Sequence, residues 1–217
     1  MTAPAPAERM AALEAELVAD YATLHLVEQA GTLRIRGSFP VKVGEQVLTW
    51  FRVEIALPAE FPHALPIVWE TGGRIPRVPE RHINTADGSA CVVLPDAFWM
   101  SQDRAEVSLL EFLRGPVHNF FLGQALVETG QPWPFGEWAH GASGVREHYA
   151  ALLGTSAPEA PAQLLRFALQ QVKGHRSCPC GSGRRLRKCH GDLLRRIRQR
   201  VPADALRQAL QRINTGK

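Results

Sequence analysis

Residues 47–58 read VLTWFRVEIALP, and the alternation within them decides the fold class. Val47, Thr49, Phe51, Val53, Ile55 and Leu57 fall on one face of an extended chain, with Arg52 and Glu54 on the other. A period of two held this long predicts a strand with one buried face. Upstream, TLRIRGSF (32–39) alternates Leu33, Ile35 and, past Gly37, Phe39, and reads as another strand. The short connection VKVGEQ between them predicts an antiparallel hairpin. Downstream, LPIVWE (65–70) is a third strand, entered through the proline-flanked EFPHALP (60–66).

Helical spacing brackets these strands. From Ala7 to Gln29, Met10, Leu13, Leu17, Tyr21 and Leu24 recur every three or four residues, which predicts an amphipathic helix ended by Gly31. SLLEFLRGPVHNFFLGQALVE (108–128) resumes that spacing, with Pro116 expected to break or kink it. GTSAPEAPA (154–162) reads as a linker, and Gln163–Val172 as a helix. The chain is therefore expected to be α+β: a domain over 1–153, a linker and helix over 154–174, and a terminal module over 175–217.

The composition is that of a globular protein, at 45% hydrophobic and 21% charged residues. No apolar run is long enough to cross a membrane. The opening MTAPAPAERM lacks the apolar stretch of a secretory signal, so a cytoplasmic protein is expected. The net charge of +4 hides a division. Residues 1–172 carry 12 Lys/Arg against 19 Asp/Glu, and residues 173–217 carry 13 against 2, a balance of +11. Such a tail is expected to meet nucleic acid or an acidic protein face.

Near the end, CPCGSGRRLRKCHG (178–191) sets Cys178, Cys180, Cys189 and His190 as C-x-C-x8-C-H. Three thiolates and an imidazole with one tight turn between the pairs suit a closed tetrahedral site for one structural zinc ion. Gly181 and Gly183 let the chain fold back between them. Metal binding is expected to supply most of this module's folding free energy. The stretch closely resembles the SEC-C motif, a short zinc-binding module of bacterial proteins, and the resemblance implies zinc and a protein partner or acidic ligand.

Cys91 lies in an irregular stretch, RHINTADGSAC (81–91). His82 and Asn84 precede it, and Gly88 allows a tight approach just before the thiol. A thiol on a loop beside an amide donor is what acyl transfer through a thioester requires. A small apolar residue filling a core is the other reading, and these residues alone leave both open. His140 in EWAHGASG and His118 after Pro116 have no second ligand or base at a recognisable spacing, and read as surface, capping or packed histidines.

The order of elements bears on that choice. Helix, hairpin, third strand, Phe61-Pro62-x-x-x-Pro66-x-Val68, His82-Ile83-Asn84, Gly88-x-x-Cys91-Val92 and Trp99 together resemble the ubiquitin-conjugating enzymes over residues 8–128. Ile83 stands where that family has proline, Asn84 is one residue closer to the cysteine, and the stretch from Pro66 to His82 is longer. The resemblance implies a ubiquitin-conjugating-type fold, with an N-terminal helix, an antiparallel meander and C-terminal helices. It further implies that Cys91 carries the C-terminal glycyl group of a ubiquitin-like modifier or partner protein as a thioester. Transfer to an amine would follow, with Asn84 at the oxyanion and His82 holding the loop. Bacterial members occur in ubiquitin-like conjugation operons and in antiphage systems built on cyclic-nucleotide signalling (CBASS). The partner would then be a ubiquitin-like protein or the C-terminus of a cyclic-nucleotide synthase, loaded with or without a separate activating enzyme. The alternatives are a non-catalytic adaptor of the same fold and a nucleic-acid adaptor acting through the basic tail.

Overall fold

The computed structural model describes residues 6–61, 63–101, 108–136 and 142–216; Pro62 and His140 lie outside them. The chain divides into two compact units, one of residues 1–92 with 107–136 and the other of residues 93–106 with 137–217. Within the second unit the helix of residues 142–153 packs against the helices of residues 160–169 and 203–215.

The first unit begins with helix α1 (Pro6–Asp20) and continues as strands β1 (Leu24–Gln29), β2 (Thr32–Val43), β3 (Gln46–Leu57) and β4 (Ile67–Glu70). They form one antiparallel sheet in the order β1-β2-β3-β4, so the α+β class expected from the sequence holds. On β3 the alternation places Phe51, Val53, Ile55 and Leu57 in the core. Val47 stays largely exposed and Thr49 half-buried, because they lie toward the hairpin tip. Gly44 enters the tip at φ 60°, and the loop shrinks to two residues, Gly44 and Glu45.

The helix expected to run to Gln29 stops at Asp20. Leu24 fits a helical spacing, but it also alternates with Leu26, and pairing with β2 (Leu24 opposite Gly37, Leu26 opposite Ile35) claims the segment as β1. Tertiary pairing here overrides the local period.

Helices α3 (Leu109–Phe112) and α4 (His118–Glu128) are joined by a π turn, Leu113–Val117. Pro116 sits in that wider turn, so the chain continues helically across a residue with no N–H to donate. Phe120 and Phe121 of α4 are buried, and Phe121 lies 4.9 Å from Phe51 and 5.5 Å from Phe39, ring centre to centre. Tyr21 stacks on the other side of Phe39 at 5.3 Å. This aromatic core ties the sheet to α4. His118, which the sequence left as a packed or half-exposed histidine, is half-buried and meets the backbone of Lys42 through Nε2.

The second unit is helical: α2 (Pro95–Ser101), α5 (Ala142–Leu153), α6 (Ala160–Leu169), α7 (Gly191–Arg200) and α8 (Ala203–Thr215). Its core takes Leu153, Leu164, Leu165, Leu194, Ile197 and Leu206. Inside it the Tyr149 hydroxyl donates to Asp96 Oδ1 at 2.7 Å, and burial raises the Asp96 pKa above the usual carboxylate value. Arg198 donates to the carbonyls of Phe167, Ala168 and Val172, which covers the open end of α6. Among the described residues no helix is long and apolar enough to cross a membrane.

Gly37 is the tightest backbone approach in the sheet. At φ 146° its Cα faces the carbonyl of Thr23, and a Cβ there would lie 2.0 Å from that oxygen. Gly37→Ala is expected to destabilise the protein by about 2–4 kcal/mol, because backbone rather than a movable side chain must yield. A urea midpoint measured on both proteins checks this; an unchanged midpoint contradicts the register of β1 on β2.

Candidate functional site

The segment leading to Cys91 is fastened residue by residue. After β4 the Glu70 carboxylate accepts the N–H groups of Gly72 at 2.6 Å and Arg74 at 2.9 Å, closing a turn. Arg74 then reaches Glu128 on α4 at 2.5 Å and lies 4.1 Å over the Phe51 ring. A single 3-10 turn, Pro79–Arg81, follows. Arg81 donates to the side chain of the fully buried Gln124 at 2.7 Å, and Gln124 donates back to the Arg81 carbonyl at 2.7 Å.

His82 comes next, in the left-handed region at φ 53°, with its N–H donating to Pro79 O. Its ring is buried against Trp133 at 4.3 Å. Trp133 fits there because α4 carries glycine at position 123, where a Cβ would lie 2.5 Å from the indole.

From His82 the chain forms a small hairpin. Cys91 N–H donates to His82 O at 2.8 Å, and Asn84 N–H to Ser89 O at 2.8 Å. Ile83 bridges Ala90, and Ala90 N–H donates to Val68 O on β4 at 2.7 Å, so the hairpin is docked on the sheet edge. Gly88 turns the chain at φ 74°. The thiol of Cys91 is exposed, as is Asn84. The filling of a core, left open by the sequence, is therefore not the role of Cys91.

The register puts Asn84 two rungs from Cys91 on the facing arm. Asn84 Oδ1 accepts the N–H of Ala86 at 3.2 Å, so Nδ2 is the end of the amide suited to donate outward. Trp99 is buried in α2, in the second unit. Trp133 and Gly123, which support His82, and Gln124, which holds Arg81, were not singled out from the sequence. PWP (132–134) was the one local hint of an ordered loop tryptophan.

The second site is the cluster near the end of the chain. The ligand atoms of Cys178, Cys180, Cys189 and His190 lie within 4.8 Å of one another. Cys180 and Cys189 sulfurs are 3.6 Å apart, and His190 Nδ1 is 3.2 Å from Cys178 Sγ and 3.3 Å from Cys189 Sγ. Tetrahedral zinc with Zn–S near 2.3 Å sets ligand atoms about 3.8 Å apart, so the donor set and its spacing fit a four-coordinate ion.

Local structure builds this arrangement. Residues 174–178 pair with 184–187 through Cys178 N–H to Arg184 O, Leu186 N–H to Arg176 O and Arg187 N–H to Gly174 O. Gly181 and Gly183, at φ 77° and 70°, make the turn between the first two cysteines and the returning arm. His190 stands at the N-cap of α7. The Ser182 hydroxyl lies 3.2 Å from Cys180 Sγ and lowers that thiol's pKa to about 6, whereas burial pushes Cys178 up to about 11. Burial thus favours a proton on the Cys178 thiol, which a divalent cation held by the four donors would displace.

Compared with family models, curated proteins and solved structures, this chain matches none.

Leu193, Leu194 and Ile197 of α7 are buried in the second unit, with α7 packed against α6. A metal ion held by this cluster would therefore order the hairpin of residues 174–190 rather than the whole tail. Purified protein is expected to hold about one equivalent of zinc by elemental analysis. Chelation, or Cys189→Ser, is expected to raise amide exchange in 174–190 while α6 to α8 stay protected. Affinity should fall as pH falls, since protons compete for the thiolates. Folded protein with no zinc, or unchanged exchange in this hairpin after chelation, contradicts the assignment.

Proposed function

We propose that this chain is a ubiquitin-conjugating-type acyl carrier with Cys91 as its acceptor thiol. The observation that supports the reading is an exposed thiol on a hairpin fixed at both arms by backbone hydrogen bonds. It follows a four-stranded antiparallel meander and stands beside an exposed amide. In the first step the Cys91 thiolate attacks the thioester carbonyl of a loaded partner, and the partner's thiol leaves. In the second a neutral amine attacks the acyl-Cys91 carbonyl, the oxyanion takes a hydrogen bond from Asn84 Nδ2, the Cys91 thiolate leaves as the amide forms, and the amine's proton passes to solvent. His82, buried under Trp133, acts as a positioning residue for the hairpin rather than as an acid or base.

The acyl group fitting this reading is the glycyl end of a ubiquitin-like modifier, or the C-terminus of a cyclic-nucleotide synthase, supplied by a separate activating enzyme. The setting is a bacterial cytoplasmic operon for ubiquitin-like conjugation or CBASS antiphage defence. Zinc, held by Cys178, Cys180, Cys189 and His190, fixes the C-terminal hairpin and takes no part in transfer.

A second reading concerns that hairpin alone. Lys173, Arg176, Arg184, Arg185, Arg187 and Lys188 are all exposed on or beside it, and no acidic residue occurs between Glu159 and Asp192. Arginine-rich surface without aromatic platforms suits sequence-independent contact with nucleic-acid phosphates. It serves as an adaptor function beside the acyl carrier, or instead of it.

Two measurements test these readings. A glycyl-peptide thioester of mercaptoethanesulfonate is expected to give a hydroxylamine-sensitive mass adduct on the wild-type chain, a slower oxyester on Cys91→Ser, and none on Cys91→Ala. Asn84→Ala should load normally and discharge to free lysine about 100- to 1,000-fold more slowly. An adduct of equal yield in Cys91→Ala contradicts the acyl-carrier reading, and normal discharge in Asn84→Ala removes that residue from the mechanism. For the hairpin, affinity for a short DNA duplex should fall steeply with salt and be lost in Arg184→Glu/Arg185→Glu; a salt-independent affinity contradicts phosphate contact.

A further inference from the structure

A cavity of about 410 Å³ adjoins the Cys91 hairpin, lined among others by Trp69, Glu70, Ile75, Arg77, Ile83 and Gly88. Its apolar wall is Trp69, Ile75 and Ile83, the last two buried. Its cation is Arg77, exposed, with a guanidinium so close over Gly88 that a Cβ on that glycine would lie 3.0 Å from Cζ.

Arg77 is the arginine of the cavity lining, and its donors are unspent. Of the neighbouring arginines, Arg74 is engaged with Glu128, Arg81 with Gln124, and Arg34 and Arg36 with Glu54, while Arg52, which lies against Gly72, does not line the cavity. No ion pair or hydrogen bond engages Arg77 among the described residues. The two carboxylates of the cavity lining do not answer it. Glu54 is held by Arg36 and Arg34, which keep its pKa below the usual carboxylate value. Glu70 spends its oxygens on the N–H groups of Gly72, Arg74 and Ile75. A guanidinium with five free donors beside an apolar wall matches a carboxylate flanked by an apolar group.

We propose that this cavity is a subsite for an acidic peptide: Arg77 takes an Asp or Glu side chain, and Trp69, Ile75 and Ile83 take its apolar neighbour. Gly88 is three residues from Cys91, so the cavity edge lies within about 11 Å of the Cys91 backbone, the reach of three or four extended residues. Resting on the acyl-carrier reading, the subsite selects peptides whose acidic residue stands three or four positions from the reacting group. That peptide is either the chain carried as the acyl group or the segment presenting the acceptor lysine, and the chemistry recognised is the same.

The binding test uses the full zinc-loaded chain and capped pentapeptides, acetyl-Gly-Leu-Glu-Gly-Gly-amide with its Gln and Lys counterparts. The readout is the indole N–H shift of Trp69, assigned with Trp69→Phe. The Glu peptide is expected to bind about tenfold more tightly than the Gln peptide at low salt. Arg77→Gln should erase that preference, Arg77→Lys should keep part of it, and Cys91→Ser should leave it intact. Equal binding of the Glu and Gln peptides, or a preference that survives Arg77→Gln, overturns the proposal.

A transfer test then separates the two sources. Faster loading of Cys91 from a Glu-bearing peptide thioester assigns the subsite to the donor chain, and faster discharge to a Glu-flanked lysine peptide assigns it to the acceptor. Each effect should vanish in Arg77→Gln; acceleration in neither step overturns the link to Cys91. A chain that binds the acidic peptide but never acylates Cys91 keeps the subsite and loses the acyl-carrier reading instead.

Discussion

The hydrogen bond from the Cys91 N–H to the His82 carbonyl, 2.8 Å long, is the joint on which the candidate site turns. It holds only because His82 is itself held. The left-handed conformation of His82 costs a non-glycine residue about 1 kcal/mol or more. Burial of its ring against Trp133 offsets that cost, and Trp133 in turn occupies the space that Gly123 leaves on α4. The exposed thiol is thus fixed through a chain of contacts ending in the aromatic core of Phe120, Phe121 and Phe51. Exposure of Cys91 is a consequence of rigidity in its neighbours rather than of a loose loop.

The C-terminal hairpin solves a similar problem by other means. There, too, short paired arms present polar side chains outward, with Leu186 and Cys178 buried. Four metal-ligating atoms within 4.8 Å take the place that Trp133 and Gly123 hold in the first hairpin. One turn is thus anchored by packing and the other by a donor set that fits zinc. With zinc bound as proposed, the second would tie its order to metal supply and to pH, whereas the first would not.

What could be read from the sequence follows the range of the interactions. The alternation in β3 was legible because one face of a strand meets one core, and the C-x-C-x8-C-H spacing was legible because its ligands are neighbours in the chain. Leu24 misled, since its place satisfied a helical period as well as a strand's, and only pairing with Gly37 on β2 decides between them. Helix α6 begins at Ala160, earlier than its apolar spacing indicates, with Pro161 in the first turn where the missing N–H costs nothing. The support of His82 by Trp133 and of Arg81 by Gln124 joins residues far apart in the chain, and no local pattern announces such pairs. Asn84 and Cys91 were identified as candidates, whereas the exposure that makes the thiol usable emerged only from the folded hairpin.

The central claim is that Cys91 carries an acyl group, and it can be tested without knowing the donor. The protein would be isolated from its own cells in acid without reductant, and the tryptic peptide containing Cys91 examined by mass spectrometry before and after hydroxylamine. The account predicts a fraction of that peptide bearing a hydroxylamine-labile acyl mass, present when Cys91 is wild type and replaced by a stable ester in Cys91→Ser. Complete recovery of Cys91 as an alkylatable thiol, with no ester on the serine variant, would contradict it.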